Sequence, residues 1–177
     1  MKISLVAAVA QNGIIGKKND LPWRLPDDMK FFMETTKGHV VILGRKNYES
    51  LPPKFQPLPG RTNIIVSRQE NYEAPGSFVV NSIKKALEIA IESGETEAMV
   101  IGGSEIYALS MEYADRLYIT EVLADVDGDV SFPQYNKKEW KEISRLHHEA
   151  DQRHVYAFDF VVYERIEENL KYGDIDK

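Results

Sequence analysis

Three apolar runs of this chain are each followed by residues of the types that bind phosphate groups. Gly44-Arg45-Lys46 follows one run, Ser67-Arg68 ends a second and Gly102-Gly103-Ser104 follows a third. Glycine lets a backbone approach a ligand closely, free N–H groups at a helix start attract anions, and arginine pairs with phosphate oxygens. Each segment alone can be a plain strand-to-helix turn. Together, at one edge of an α/β sheet, they predict a ligand with several anionic groups.

Asp28 is the residue best suited to anchor a ligand or to take part in acid–base chemistry. It lies in a predicted helix that begins at Pro26, beside Met29 and one turn before Phe32. A carboxyl on the apolar edge of a helix must either find a cationic partner or become protonated. The neighbouring Asp27 is explained by the helix dipole, which favours acids in the first turn. On spacing alone Asp28 keeps two explanations, a functional carboxylate and a second first-turn acid.

The sequence offers little support for metal-dependent or nucleophilic chemistry. It has no cysteine and contains none of the motifs GxGxxG, GxxxxGK[ST], HExxH and GxSxG. His147, His148 and His154 cluster near the C-terminal end, but no carboxylate accompanies them at a metal-binding spacing. We therefore predict no metal site and interpret the three histidines as residues of a strand surface.

Alternating strands and helices must position these residues. Val40–Leu43 and Ala98–Ile101 show no polar alternation, which is typical of parallel strands covered on both faces. An apolar stripe predicts a helix over Ser82–Glu92, and further helices are expected from Pro26 and after Gly44 and Gly103. The other predicted strands are Ile3–Ala10, Ile64–Ser67, Leu117–Thr120 and a hairpin of Lys141–His148 with Val155–Tyr163. The fold class is α/β, a mostly parallel central sheet with an antiparallel C-terminal hairpin and helices on both faces.

Length and composition fit one ordinary domain. The chain has 177 residues, 43% of them hydrophobic, and a formal net charge of −6, which argues against nucleic acid as a partner. The run Ile3–Ala10 resembles a short signal peptide but is better explained as a first strand. No stretch reaches the roughly 20 apolar residues of a membrane span. We expect a soluble, cytoplasmic monomer with one domain at 1–165 and an acidic tail at 166–177.

Five segments, in order, resemble motifs of the dihydrofolate reductase family. The first, 16–28, reads GKKNDLPWRLPDD and is similar to the mobile active-site loop and first helix of that family. The others are VILGR at 41–45, LPGRTN at 58–63, VIGGSEIY at 100–107 and DGD at 127–129. The resemblance extends from Ile3 to Arg165, nearly the whole chain.

The resemblance implies reduction of 7,8-dihydrofolate to 5,6,7,8-tetrahydrofolate by hydride transfer from NADPH, in support of one-carbon metabolism. It implies that Asp28, supported by Thr120, accepts two hydrogen bonds from the pterin ring while water delivers the proton. It also gives catalytic roles to Leu21 and Trp23 in the loop Ile14–Arg24, which would close over the site. The implied substrate pocket comprises Val6, Ala8, Asp28, Met29, Phe32, Leu51, Leu58, Ile101, Thr120 and Arg61, the last on the α-carboxylate of the substrate.

The resemblance places the cofactor at the strand ends. Arg45, Arg68 and Ser67 would hold the adenosine 2′-phosphate. Gly102 and Gly103, joined in the family by a cis peptide bond, would pass close to the nicotinamide and the pyrophosphate. The full implied set is Ala8, Ile15, Gly16, Asn19, Gly44, Arg45, Lys46, Asn47, Ser67, Arg68, Gly102, Gly103, Ser104, Glu105, Ile106 and Tyr107.

The sequence also departs from the family pattern. Lys46, Asn47 and Tyr48 stand where many members have His, Thr and Trp, and the loop Pro52–Gln56 is longer than in the shortest bacterial members. Two alternative functions stay open. One is a reductase of the same fold that acts on another pterin or on a riboflavin-pathway pyrimidine. The other is a catalytically silent protein that only binds a nucleotide or a folate.

Overall fold

The computed structural model describes residues 1–167, which form ten strands and four α-helices. The strands are β1 (Lys2–Ala10), β2 (Ile14–Gly16), β3 (Val40–Gly44), β4 (Thr62–Val66), β5 (Phe78–Val80), β6 (Glu97–Gly102), β7 (Arg116–Val122), β8 (Val130–Ser131), β9 (Trp140–His148) and β10 (Phe158–Arg165). The helices are α1 (Pro26–Thr36), α2 (Arg45–Ser50), α3 (Ile83–Glu92) and α4 (Ser104–Ser110), with short 3-10 turns at Pro53–Phe55, Met111–Tyr113 and Lys137–Glu139.

Eight of these strands form one sheet in the order β5-β4-β3-β6-β1-β7-β10-β9. The strands from β5 to β7 pair in parallel, whereas β10 runs antiparallel to both β7 and β9. The predicted mostly parallel sheet with an antiparallel C-terminal hairpin is confirmed. All parallel strands therefore end at the same edge of the sheet, which is where open α/β sheets bind their ligands.

Apolar side chains cover both faces of the central strands, as the runs without polar alternation predict. In β3, Val40 and Ile42 belong to one core, while Val41 and Leu43 belong to the other. Helices α3 and α4 pack on the first face, and α1 and α2 pack on the second. The expected helices on both faces are thus present, and they fix the sheet edge between them.

The helices begin where the local sequence signals predict. Pro26 occupies the first turn of α1, and Asp27 and Asp28 follow it. Ser82 caps α3 by accepting a hydrogen bond from the Lys85 backbone N–H at 3.2 Å. Helices α2 and α4 start directly after Gly44 and Gly103.

Short strands and one histidine differ from the sequence prediction. Strands β2 and β8 pair only with each other, and β5 adds a three-residue edge to the main sheet. The second hairpin strand begins at Phe158 instead of Val155, because the residues before it form a loop. His154 lies in that loop with 1% of its surface exposed, so its assignment to a strand surface is wrong. Its ring is buried because both of its nitrogens have partners in the protein.

The predicted acidic tail at 166–177 lies outside the described residues, apart from Ile166 and Glu167. Within residues 1–167, no helix combines the length and the apolar character that crossing a membrane requires.

Candidate active site

The three segments that the sequence predicts to bind phosphate lie side by side at the carboxyl edge of the sheet. Strands β4, β3 and β6 are neighbours, and Gly44 pairs with Val66 while Leu43 pairs with Gly102. The segment that starts at Ser67 is therefore one strand away from Gly44. The predicted convergence of these segments at one edge follows directly from the parallel strand order.

The end of β6 brings the backbone close to a buried tyrosine. The Gly102–Gly103 peptide bond is cis, as the resemblance implies, and Gly102 has φ +108°. A Cβ atom on Gly102 would lie 2.9 Å from the Tyr107 ring, so the position accepts only glycine. The Tyr107 hydroxyl donates a hydrogen bond to the Val6 carbonyl at 2.6 Å. Burial raises the pKa of Tyr107 and keeps it a neutral donor. A Cβ on Gly103, in contrast, would meet open space.

Two arginines of this edge are paired with carboxylates of the same chain. Arg45 donates to Glu49 at 3.0 Å, and Arg68 lies 3.3 Å from Glu105. The Ser67 side chain is buried, and its hydroxyl accepts a hydrogen bond from the Gln69 backbone N–H. These donors suit phosphate oxygens once the carboxylates are displaced.

The remaining predicted cofactor residues at this edge are distributed between surface and core. Asn47 donates its amide to the Ile101 carbonyl at 3.1 Å and so ties α2 to β6. Lys46 is exposed, whereas Ile106 is buried against Gly44, where an added Cβ would lie 2.9 Å from it. Ser104 donates its hydroxyl to the Ser131 carbonyl at 2.9 Å.

Asp28 points away from solvent toward the central sheet. The Thr120 hydroxyl in β7 donates to Asp28 Oδ1 at 2.6 Å, across 92 positions of sequence. Burial raises the pKa of Asp28, and the hydrogen bond from Thr120 opposes this increase without cancelling it. The carboxyl is therefore easier to protonate than an ordinary aspartate. Of the two explanations that spacing left open, this environment favours the functional carboxylate.

The helix that carries Asp28 packs against an apolar wall. Buried side chains of β1, β6 and the segment before β4 form one cluster, against which side chains of α1 and of the loop after α2 pack. Among the predicted substrate residues, Val6, Leu58, Ile101, Phe32 and Leu51 belong to it. Ala8 packs instead on a third cluster, and Met29 is 48% exposed.

Arg61 follows Leu58, a member of this wall, by three positions. Its guanidinium donates to the Thr36 hydroxyl at 3.0 Å and to the Pro59 carbonyl at 2.9 Å. Partial burial lowers the pKa of Arg61 from its usual value, although a guanidinium remains protonated at any physiological pH. Both partners are neutral, so the positive charge is available to an anion.

The loop 14–24 is held over the edge of the sheet by strand β8. An added Cβ on Gly128 would lie 2.5 Å from the Gly16 carbonyl, so this close approach requires glycine. Lys17 forms an ion pair with Asp127 at 2.6 Å, and the Asp129 carboxylate accepts from the Lys18 backbone N–H at 3.3 Å. The sequence pattern identified the motif at 127–129, but it did not show that this motif binds the loop 14–24.

The predicted residues of the loop 14–24 differ in how far they are buried. Leu21 is 44% exposed, and Asn19 has a left-handed backbone with φ +62°. Ile15 packs partly on the main core. Trp23 is buried, and its indole nitrogen has no hydrogen-bond partner within the described chain. A buried donor of this kind needs a polar partner, which a bound ligand or its water can supply.

Comparisons with known proteins agree with this geometry. The family described as "Dihydrofolate reductase" matches residues 2–165. The chain is 43% identical over 165 residues to dihydrofolate reductase type 3 of Salmonella typhimurium, covering 93% of this chain and 99% of that protein. It is 41% identical over 163 residues to the dihydrofolate reductase of Bacillus subtilis, covering 92% and 94%.

A solved structure of a dihydrofolate reductase is also similar to this chain. The dihydrofolate reductase from Enterococcus faecalis, complexed with NADP(H) and RAB-propyl, superposes with a TM-score of 0.85. It is 32% identical, and the match covers 93% of this chain and 96% of that one.

Proposed function

The chain belongs to the dihydrofolate reductase family and reduces 7,8-dihydrofolate to tetrahydrofolate with NADPH, and from this premise we propose that Asp28 is its catalytic carboxyl. The observation that carries the proposal is the 2.6 Å hydrogen bond from Thr120 to Asp28 Oδ1, on a helix that packs against the apolar wall through Phe32. The bond holds one oxygen, which leaves Oδ2 to accept from the pterin ring. Asp28 thus anchors and polarises the ring where it gains a proton.

Asp28 has an environment suited to this role. When bound, NADPH supplies the hydride to the substrate. A carboxyl with a raised pKa can hold or share a proton nearer to neutral pH than a solvated aspartate can, and the acid–base groups of enzymes are tuned in this way. Thr120 fixes the orientation of the carboxyl through a neutral hydroxyl, so that no competing cation neutralises it. Water delivers the proton to the reacting nitrogen.

The substrate-binding role of Arg61 rests on its two neutral partners. The Arg61 guanidinium is already oriented by its hydrogen bonds to Thr36 and Pro59, and the group still carries a full positive charge. A carboxylate of the substrate can therefore be bound through the remaining N–H groups with little loss of side-chain entropy. Val6, Phe32, Leu51, Leu58 and Ile101 would contact the apolar part of the substrate, with Ala8 and Met29 at its margins.

The chain has groups that fit NADPH at the edge formed by β4, β3 and β6. Arg45, Ser67 and Arg68 would hold the 2′-phosphate, and the backbone N–H groups that begin α4 would face the pyrophosphate. The open space above Gly103 admits a flat ring close to the backbone. The matching Enterococcus faecalis enzyme was solved with NADP(H), which supports this placement.

Loop 14–24 would close the site and exclude water. Ile15, Gly16 and Asn19 would contact the cofactor, and Trp23 would offer its unpartnered indole N–H to the substrate or to a water beside it. Leu21, half exposed, would become covered as the loop closes. The contacts of Asp127 with Lys17 and of Asp129 with Lys18 define the position from which the loop moves.

We also propose that residues 1–165 form a single catalytic domain that acts as a monomer in the cytoplasm. Its partners would be small molecules, since a net charge of −6 disfavours nucleic acid. Sedimentation at micromolar concentration would check the monomer.

Absorbance assays test the assignment of the site. Purified protein should oxidise NADPH only when dihydrofolate is present, and NADH much more slowly. The Asp28→Asn variant should bind NADPH as the parent does while losing turnover. Full turnover by Asp28→Asn at neutral pH would contradict the proposed role.

A further inference from the structure

Asp27, next to the catalytic carboxyl, is held by two histidines from the C-terminal hairpin. His148 Nε2 lies 2.9 Å from Asp27 Oδ2, and the Asp27 backbone N–H donates to His154 Nε2 at 3.0 Å. The Asp151 carboxylate faces His154 Nδ1 at 2.8 Å. We call Asp27, His148, Asp151 and His154 the histidine clasp. It joins the first turn of α1 to the loop between β9 and β10.

The partners of each ring nitrogen determine where the protons are. His154 Nε2 accepts from an N–H group, so its single proton is on Nδ1 and is donated to Asp151. His148 Nδ1 faces the Glu149 carbonyl at 2.7 Å, and its Nε2 faces a carboxylate. Because both of these partners can only accept, His148 donates from both nitrogens and carries a positive charge. Burial alone would lower the pKa of His148, but the hydrogen bonds to Asp27 and Glu149 raise it above its usual value.

A metal ion is the other cation that such a cluster could hold. The ligand atoms of Asp27, His148 and His154 lie within 4.8 Å of one another. However, the lone pair of His154 Nε2 is already used by the Asp27 backbone N–H. Only two ligands would then remain, fewer than a stable zinc site contains. The geometry favours a proton shared by His148 and Asp27 over a metal ion.

The clasp satisfies a helix end that has no other cap. Leu25, the residue before α1, offers no side-chain hydrogen bond, and the first N–H groups of a helix lack intrahelical partners. His154, whose side chain is fully buried, supplies the acceptor that this end needs. The His148 ring stacks on the Phe158 ring, with the ring centroids 4.5 Å apart, and this contact joins the clasp to the start of β10. Strand β10 in turn pairs with β7, where Thr120 lies opposite Phe160.

We propose that His148 and His154 are positioning residues for Asp28, and this inference rests on the catalytic role proposed for that carboxyl. Two fixed points then define the first turn of α1. The clasp holds Asp27 from the hairpin side, and Thr120 holds Asp28 from the sheet side. When His148 loses its side chain or the proton that it donates to Asp27, the turn is released and the bond from Thr120 to Asp28 weakens.

The charged groups around His148 all favour its protonated form or hold Asp27. Asp27 faces it from α1, and Asp151 lies on the loop that follows β9. Arg153 approaches the other oxygen of Asp27 at 3.6 Å. The exposed neighbour His147 is engaged elsewhere, with Asp159 at 2.6 Å and Glu149 at 3.1 Å. His147 is therefore a matched control, one residue away and outside the clasp.

Steady-state kinetics over a range of pH test the proposal. His148→Leu should lower kcat by roughly 10-fold at neutral pH, less than the 10²-fold that a 1 Å misplacement can cause. The KM for NADPH should stay unchanged. Since the Thr120 bond lowers the pKa of Asp28, its weakening should move the pH dependence of kcat/KM for dihydrofolate to higher pH. His148→Gln, whose amide still donates to Asp27, should restore most of the rate, and His147→Gln should match the parent.

A double-mutant cycle separates positioning from general destabilisation. Asp27→Ala keeps the backbone N–H to His154 but removes the acceptor of the His148 hydrogen bond, so it should reproduce the defect of His148→Leu, and the double variant should be no worse than either single one. Parent-like kcat and pH profile in both single variants would overturn the inference, as would additive losses. Asp28→Asn, assayed in parallel, tells the two proposals apart. If it abolishes turnover while the clasp variants do nothing, only the inference fails; if it is fully active, the proposed function fails and the inference fails with it.

Discussion

Charged residues on the proposed substrate side and on the proposed cofactor side of the site are held in opposite ways. On the substrate side, buried threonine hydroxyls hold them: Thr120 donates to Asp28, and Thr36 accepts from Arg61. On the cofactor side, carboxylates hold the arginines. Arg68, for example, pairs with Glu105, and both side chains are mostly exposed.

This difference determines what each half must exchange on binding. A neutral hydroxyl orients a charged group but leaves its charge uncompensated, which costs folding free energy and favours an oppositely charged ligand. An exposed ion pair costs little to form and little to break, typically about 0–1 kcal/mol. The proposed substrate half would therefore be ready to bind, whereas the proposed cofactor half would exchange one anion for another.

The largest expected effect comes from removing the charge of Asp28. Asp28→Asn keeps the size of the side chain and a carbonyl that can accept from Thr120, but it cannot hold a proton. Turnover at neutral pH should fall by about 10²-fold or more, the range expected for a positioned acid–base group. Single-turnover absorbance measurements with saturating NADPH would show this loss in the chemical step. A loss confined to KM would mean that Asp28 only binds.

The same variant should be more stable than the parent at neutral pH. The fold raises the pKa of Asp28, so its contribution to stability is complete below the unfolded-state value, about 3.9, and is lost as pH rises through the folded-state pKa. Asp28→Asn removes that loss. Urea unfolding midpoints of both proteins should agree at low pH and diverge in favour of the variant as pH rises. Parallel curves would mean that the carboxyl is not desolvated.

Replacing Arg61 is expected to have the next largest effect. Arg61→Ala removes a charged, already oriented donor, and the KM for dihydrofolate should rise by about 10- to 100-fold, as for loss of a charge-assisted hydrogen bond. The kcat at saturating substrate should change little. Arg61→Lys keeps the charge without the fork and should give an intermediate KM. Equal loss of kcat in the alanine variant would place Arg61 in the chemical step.

The sequence predicted the parts of this comparison that local patterns encode. The unbroken apolar run Val40–Leu43 identified a strand covered on both faces, and a parallel sheet ends its strands at one edge, where the three segments predicted to bind phosphate lie. Asp28 was identifiable as an acid on an apolar helix edge. The strand and the helix edge depend on residues within a few positions of each other, for which periodicity is informative.

The features that escaped prediction depend on distant pairs. Strand β8 has two residues and exists because Gly128 lets it approach Gly16, a contact that no periodicity records. Asp27 and His148 are 121 positions apart, so their spacing carried no sign of the clasp. The carboxylate partner of Arg68 was equally hidden, because Glu105 lies 37 positions away in the sequence.

Removing Arg68 tests whether the cofactor half selects the phosphate. Arg68→Ala should raise the KM for NADPH by about tenfold at low salt, as expected for an exposed phosphate contact, and should leave the KM for NADH unchanged. The ratio of kcat/KM values for the two cofactors measures this directly. An equal loss with NADH would show that Arg68 contacts a part common to both cofactors.

The smallest expected effect is a gain. The Glu105 carboxylate lies 3.3 Å from the Arg68 guanidinium and competes with a phosphate for it. Glu105→Gln should therefore lower the KM for NADPH by up to about fivefold, because an exposed ion pair contributes at most about 1 kcal/mol. Glu49→Gln is the matched variant for Arg45 and should give a smaller gain, because its partner is one helical turn away and stays close. Both gains should vanish at high salt, where the ion pairs are screened.

No comparable gain is available on the substrate side, since no carboxylate competes there for Arg61 among residues 1–167. A higher KM for NADPH in Glu105→Gln would mean that Glu105 binds the cofactor instead of competing with it, and the contrast between the two halves would then be limited to Arg45.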